Sequence, residues 1–157
     1  MSPSVERIRR ARSADWPAIL GLLTASGLPT SDLAPEHVEC FRVATEAERV
    51  VGCVAVEPYG SWGLLRSLAV APEARGCGLG GALERAALDH ARGTGLSTLV
   101  LLTDTAERFF LSRGWAPLAR EAVPETVRRS GQFSGGCPSC AACLMRTVGE
   151  GSLASPP

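Results

Sequence analysis

The segment Leu68-Ala69-Val70-Ala71-Pro72-Glu73-Ala74-Arg75-Gly76-Cys77-Gly78-Leu79-Gly80-Gly81 runs from an apolar strand into a glycine-rich loop and from the loop into a helix. Upstream, Trp62 to Val70 is nearly continuous apolar sequence interrupted by Arg66, the pattern of a buried strand. Ala71 to Ala74, with Pro72 inside it, is a turn. Downstream, Leu79 to Arg92 carries Leu83, Ala86, Ala87 and His90 along one side of a helix, which Gly93 and Gly95 stop. A strand, a loop with glycines at 76, 78, 80 and 81, and a helix together make a device for holding an anion. Glycine lets the backbone come close, and the first helical amides point at the ligand with the positive end of the helix dipole. Glycines alone do not choose the ligand. A nicotinamide fingerprint needs Gly-x-Gly-x-x-Gly within a βαβ unit and an acidic residue closing the next strand. The spacing here differs, and strand 97–103 ends in Thr-Asp after a single crossover.

Working outward, Arg7 to Arg12 predicts a first strand, and Ser13-Ala14-Asp15 with Pro17 starts a first helix that ends at Gly27. A short second helix is expected around Glu36 to Phe41. Phe41 to Ala44 and Arg49 to Val56 read as a hairpin across the polar turn Thr45 to Glu48. Glu57 to Gly60 is a break. Thr98 to Thr103 is an apolar strand of the kind buried on both faces. Ala106 to Arg113 reads as a helix closed by Gly114, Val123 to Ser130 as helical, and Leu144 to Val148 as a last strand. The expected organisation is one α/β domain over residues 1–148, with 149–157 a disordered tail.

At 157 residues with 45% apolar composition, the chain is long enough for one sizeable core. Sixteen basic residues balance sixteen acidic ones, so there is no long-range pull toward nucleic acid or an anionic membrane. Every basic residue of that count is Arg, so any buried cation here is a fixed guanidinium. The basic N-terminus followed by Ile19 to Leu23 imitates a leader, but Glu6, Asp15 and Pro17 interrupt it and the apolar stretch is too short to span a bilayer. A cytoplasmic protein is expected, its six cysteines reduced thiols.

The stretch Leu68 to Gly80, continued by Thr103-Asp104-Thr105-Ala106-Glu107-Arg108-Phe109-Phe110 and by Gly114-Trp115, resembles the acetyl-CoA motif and following segment of the GCN5-related N-acetyltransferase (GNAT) superfamily. The resemblance covers roughly residues 7 to 148 with the element order intact. It implies a mixed, mostly antiparallel central sheet of about six to seven strands flanked by helices, with the fourth and fifth strands splayed to admit pantetheine. It further implies that the backbone of Leu68, Ala69 and Val70 runs along that arm. Amides of Arg75, Gly76, Cys77, Gly78, Leu79, Gly80 and Gly81 would hold the pyrophosphate of acetyl-CoA. Thr103, Ala106, Phe109 and Phe110 would complete the cofactor site.

Direct transfer to an amine needs a neutral amine, a polarised thioester carbonyl and a proton for the leaving thiolate. A backbone amide near Leu68 can polarise the carbonyl. Where family members place a glutamate on the fourth strand this chain has Leu64, so Glu57 is the candidate base, through water, against the alternative of a solvated loop carboxylate. The family's tyrosine after the fifth strand is matched by Phe110, which leaves Tyr59, the sole tyrosine, as candidate acid. A thiol titrating near about 8.5 also leaves with water alone. Arg66 sits on an otherwise apolar strand and is a candidate for gripping an anionic group on the acceptor, with an internal salt bridge to Glu57 as the alternative.

Cys137-Pro-Ser-Cys140-Ala-Ala-Cys143 remains. A zinc site would need a fourth ligand such as Cys53 or His37, and iron–sulfur binding lacks a fourth nearby cysteine; no metal is expected, and apolar filling is the commoner fate of such thiols. Val51 to Gly60, Leu64 to Val70, Phe133-Ser134, Cys137-Pro138 and Cys143-Leu144-Met145 resemble the arsenic-resistance branch of the superfamily. That branch implies a small amine bearing an anionic group as acceptor, an aminoarsonate-like compound or an amino-acid analogue. It also suggests trivalent arsenic as a ligand of the thiolates of Cys137, Cys140 and Cys143. The expected protein is a monomer or homodimer that contacts neither nucleic acid nor membrane. Its rivals are a non-catalytic acetyl-CoA- or arsenical-binding module, suggested by Phe110 and Leu64, and an N-terminal peptide acetyltransferase, for which no acidic groove is legible.

Overall fold

The structure is a computed structural model that describes residues 7–136 and 141–148. Its strands are β1 (Arg7–Arg10), β2 (Phe41–Glu46), β3 (Arg49–Tyr59), β4 (Trp62–Val70), β5 (Thr98–Thr103), β6 (Ala116–Pro117) and β7 (Ala142–Thr147). Its helices are α1 (Trp16–Ala25), α2 (Leu79–Gly93), α3 (Glu107–Leu111) and α4 (Glu125–Arg128). The strands form one mixed sheet in the order β1-β2-β3-β4-β5-β7-β6. β1–β2, β2–β3, β5–β7 and β6–β7 are antiparallel, and β4–β5 is parallel. The α/β architecture that the resemblance implied is present. Among the described residues the β4–β5 register consists of Trp62↔Thr98, Gly63↔Leu99 and Leu64↔Val100, although β4 continues to Val70 and β5 to Thr103.

The chain divides into two compact units, Met1–Val56 with Ser67–Ala87 and Glu57–Arg66 with Leu88–Pro157. In the first, α1 lays Trp16, Ile19 and Leu23 on one face at helical spacing, and these pack with Val38, Phe41, Val43, Cys53, Ala55 and Ala69. The Trp16 and Phe41 rings meet edge to face at 5.7 Å. The β2–β3 hairpin turns on two residues only, Ala47 and Glu48, both left-handed at φ 51° and 63°. The strands' right-handed twist favours this mirror-image turn even without glycine or asparagine, so β2 runs on to Glu46, past the Ala44 end that the expected four-residue turn allowed, while β3 starts at Arg49 as expected. The helix expected near Glu36 is a tight 3₁₀ turn, Pro35–Cys40, because Phe41 is already committed to β2. At Gly52 a Cβ would lie 2.8 Å from Leu83 Cδ1 and 3.3 Å from Leu79 Cδ2. That bare position on β3 seats the start of α2.

In the second unit Leu64, Val100, Leu102, Val123, Val127, Ala141 and Cys143 form the core, with Tyr59, Trp62, Leu118 and Phe133 packed on it. The break expected at 57–60 is shorter, since β3 passes through Pro58 to Tyr59 and turns at Gly60, φ 67°. The β2–β3 register ends at Phe41↔Ala55, so no β2 carbonyl waits for the N–H that Pro58 lacks. Two helices are shorter than the sequence suggested. α3 starts late because the Thr103 hydroxyl accepts the amides of Ala106 at 2.9 Å and Thr105 at 3.3 Å, which forms a turn first. α4 is a single turn after Pro124, followed by a wider turn over Gln132–Gly136. The two-residue strand β6 was not anticipated, being too short to show alternation. The expected tail at 149–157 lies outside the described residues.

Candidate functional site

The loop after β4 belongs to the first unit. Gly76 and Gly78 both sit at φ 86°, and a Cβ at either would point into open space. Their glycine identity is therefore required by backbone conformation, not by crowding. Arg75, Gly76, Cys77 and Gly78 are exposed. The helix closes behind them when the Ala82 amide bonds to the Gly78 carbonyl at 3.1 Å. Helical geometry supplies no internal acceptor for the amides of Gly78, Leu79 and Gly80. Leu79 is the buried anchor that holds this end of α2 down. Side chains brace the loop rather than fill it. Arg75 Nε donates to the Val70 carbonyl at 2.9 Å and Cys77 Sγ donates to that of Ala74 at 3.2 Å. Open left-handed glycines at the head of a 15-residue helix suit a diphosphate.

Within β4, Ser67 has φ 60°, a left-handed residue in mid-strand that is not glycine. Such a conformation costs about 1–2 kcal/mol and re-aims the strand. It interrupts the regular alternation of faces, so Arg66 before it and Leu68 and Val70 after it do not share one face by strand period alone. Leu68 and Val70 are half-buried and Ala69 is buried beneath them. Cys53 lies under the same segment, its Sγ donating to the Ser67 carbonyl at 3.4 Å. Burial pushes that thiol up to about 12.

The second unit brings Glu57, Tyr59 and Arg66 together. Glu57 and Tyr59, two residues apart on β3, point the same way, and the Tyr59 hydroxyl donates to Glu57 Oε1 at 3.0 Å. Arg66 Nη1 donates to Glu57 Oε2 at 3.4 Å. Glu57 is 8% and Arg66 3% exposed, so neither is a solvated surface charge. Arg66 thus makes the internal salt bridge weighed above as the alternative to acceptor capture. Tyr59, only half-buried, is the most open member. Burial, then the Glu57 carboxylate, raise its phenol to about 12. A hydrogen bond from Ser130, which follows α4, opposes that rise. Sequence reasoning passed over Ser130 and Ser67. A serine carries no signal of its own, although a small polar residue closing an otherwise helical run was a faint cue at 130.

The remaining candidates of the second unit have separate surroundings. Phe110 is enclosed, edge to face with Phe109 at 4.9 Å and with Trp115 at 5.4 Å, so packing occupies it. Phe109, Ala106 and Thr103 keep part of their surface. Of the three C-terminal cysteines, Cys137 and Cys140 lie outside the described residues. Cys143 is buried in β7, its thiol pushed up by burial. His37 Nδ1 accepts the Ala34 amide at 2.8 Å. Among the described residues no three His, Cys, Asp or Glu side chains cluster as a metal would require, and no helix is long and apolar enough to cross a membrane.

Comparison with known proteins gives a consistent picture. The profile of the Acetyltransferase (GNAT) domain matches residues 37–117, just over half of the chain. The chain is 29% identical over 136 residues to an amino-acid acetyltransferase of Neisseria meningitidis serogroup A, covering 82% of this chain and 31% of that protein. It therefore spans about a third of the length of such a relative. Among solved structures it superimposes on N-acetylglutamate synthase from Neisseria gonorrhoeae complexed with coenzyme A and N-acetyl-glutamate, with a TM-score of 0.80 and 28% identity over 90% of this chain and 35% of that one. Rv2747 from Mycobacterium tuberculosis, in complex with CoA and NLQ, matches at 0.76 and 26% over 90% of this chain and 98% of its own.

Proposed function

The chain belongs to the acetyltransferase (GNAT) domain family, and from that premise we propose that it transfers the acetyl group of acetyl-CoA to the nitrogen of a small, amino-acid-like amine. The observation that carries this reading is the pair of open left-handed glycines, Gly76 and Gly78, at the head of α2 inside the family-matched span. The amides of Arg75 to Gly81 take the donor's diphosphate, and the backbone of Leu68 to Val70 takes its pantetheine arm. The left-handed Ser67 sets the aim of the following amide, which polarises the thioester carbonyl. Glu57 is the proton acceptor for the ammonium of the acceptor, and Tyr59 supplies the proton that leaves with the thiol. Amine nitrogen attacks the thioester carbon, the carbon–sulfur bond breaks, and coenzyme A departs as the free thiol.

The acceptor class draws on the relatives named as amino-acid acetyltransferases and on the coenzyme A and N-acetyl-glutamate complex of the Neisseria gonorrhoeae enzyme. The resemblance to the arsenic-resistance branch makes an arsenic-bearing amino-acid analogue one member of that class. It supports an acceptor more than a thiol trap, because Cys143, the member of the three within the described residues, is buried in β7. Thiol release from acetyl-CoA across a panel of α-amino acids, aminoarsonates and short peptides tests the proposal. Release with an amino-acid-like amine is expected, with Glu57→Gln slowing turnover about a hundredfold. Thermal stabilisation by acetyl-CoA with no release on any amine would leave a binding module instead. Titrating arsenite against the protein with Cys137, Cys140 and Cys143 changed to Ser tests the trap; unchanged affinity removes it.

A further inference from the structure

Cys53 lies wholly buried on β3, and its Sγ donates to the Ser67 carbonyl at 3.4 Å. Ser67 is the left-handed residue of β4, a conformation that a residue other than glycine keeps only where its surroundings hold it. The carbonyl of Ser67 and the amide of Leu68 belong to one peptide unit. Among the described residues no peptide bond is cis, and in a trans unit the C=O and N–H point in opposite directions. Fixing the carbonyl on a buried thiol therefore aims the Leu68 amide away from Cys53. The strand edge agrees. The Ala71 amide donates to the Val51 carbonyl at 2.8 Å, so β3 lies along one edge of the segment after the bend. Amides alternate between the two edges of an extended chain, which turns those of Leu68 and Val70 to the other edge. Ser67 and Leu68 are half-buried, whereas Arg66 and Ala69 on either side of them are buried.

We propose that Cys53 is a positioning residue for acetyl transfer: its thiol holds the Ser67–Leu68 peptide in the orientation that presents the Leu68 amide to the thioester carbonyl. The proposal rests on the acetyl-transfer reading, which needs that amide fixed before the donor arrives. Released from Cys53, the left-handed serine would relax toward an ordinary strand conformation by rotating this peptide, and the amide would leave its line. When the amine attacks, negative charge develops on the carbonyl oxygen, and the held amide meets it there without reorganising. Being fully buried, Cys53 meets neither substrate and acts through the peptide alone. Burial raises its thiol to about 12, so the sulfur keeps the proton it donates through neutral and mildly alkaline pH. Sulfur is a weak donor, and the expected effect on rate is correspondingly modest.

Acetyl-CoA labelled with carbon-13 at the acetyl carbonyl reports that amide without any acceptor, because a hydrogen bond to the carbonyl oxygen moves the nuclear magnetic resonance signal downfield. On the full-length wild-type chain the bound signal is expected downfield of free acetyl-CoA. Cys53→Val fills a similar space without a donor. There the signal should return most of the way to the free value, and kcat with any amine that turns over should fall about fivefold at unchanged KM for acetyl-CoA, since the loop still takes the diphosphate. Cys53→Ser restores a donor and should recover both. Thermal stabilisation by acetyl-CoA checks that each variant is folded and loaded. A downfield signal unmoved in Cys53→Val would overturn the positioning role. Equal losses in Cys53→Val and Cys53→Ser would overturn it too, since packing and not the donor would then decide. A wild-type signal that stays at the free value while acetyl-CoA binds would remove the polarising amide itself. The two failures are distinct: the acetyl-transfer reading falls on the wild-type protein, the role of Cys53 on its variants.

Discussion

The loop from Arg75 to Gly81 and the cluster of Glu57, Tyr59, Arg66 and Ser130 are built from opposite materials. The loop is backbone: exposed, left-handed at two glycines, with side chains that brace it from behind. The cluster is side chain: a buried carboxylate and guanidinium within a unit whose core is Leu64, Val100, Leu102 and Val127. A backbone site tolerates almost any side chain that permits its dihedral angles. A buried charge network tolerates almost none, because removing one member strands another away from water. The two regions should therefore answer mutation differently, the loop through donor affinity and the cluster through stability and proton transfer.

The strongest way to break that contrast is Arg66→Met. Its side chain is fully buried and faces Glu57 Oε2, so a buried carboxylate loses its cation. Destabilisation of about 3–5 kcal/mol is expected, a fall in Tm of roughly 6–20 °C for a chain of this size, measured by calorimetry. The pair Glu57→Gln with Arg66→Met should recover part of the loss, since no stranded charge remains. If Arg66→Met melts like the wild type, the pair is no more consequential than a surface ion pair and the contrast collapses. The same cluster makes a pH statement. The Tyr59 phenol is raised in the folded protein to about 12, so its neutral form is favoured there. The stability this contributes is complete below about pH 10, the unfolded value, and is lost as pH rises through about 12. Glu57→Gln removes the second-largest cause and should bring the phenol's titration down, though not to the ordinary value, because burial remains the first cause.

On the loop the sharpest change is Gly78→Val. A β-branched residue at φ 86° is strained by about 1–2 kcal/mol although the space beside it is open. Relief of that strain turns the amides away from their shared direction. KM for acetyl-CoA should rise at least about tenfold while KM for the amine stays put, by steady-state kinetics with each substrate varied. A rise in both would mean that the loop does more than hold the donor.

The same division explains what could be read from the chain alone. Backbone requirements write themselves into glycine and proline, so the loop, the ends of α2 and the limits of β4 and β5 were legible from Gly76, Gly78, Pro72 and Gly93. Short-range dihedral choices made by ordinary residues were not. Ala47 and Glu48 form a left-handed turn, and Ser67 bends β4, with no residue type announcing either. α4 was overestimated because helical spacing at Val123 and Val127 also satisfies a single turn resting on a core. The charge cluster was half legible. Burial of Arg66 follows from the apolar run around it, but Glu57 was placed at a break and not in a buried strand, and which charges meet depends on tertiary placement that periodicity does not carry.

The smallest expected effect is the most discriminating for the loop. Cys77 stands between the two left-handed glycines, exposed, its thiol donating to the Ala74 carbonyl at 3.2 Å. If the loop works through its amides, the sulfur is a brace and nothing more. A thiol is a weak donor, so Cys77→Ser replaces that bond by a better one and should leave stability within about 0.5 kcal/mol and KM for acetyl-CoA within about twofold. Cys77→Ala loses the bond but not the backbone conformation and should differ little more. A tenfold loss of donor affinity in either variant would place the sulfur in contact with the donor. The loop would then be a side-chain site like the cluster, and the distinction between the two regions would have to be given up.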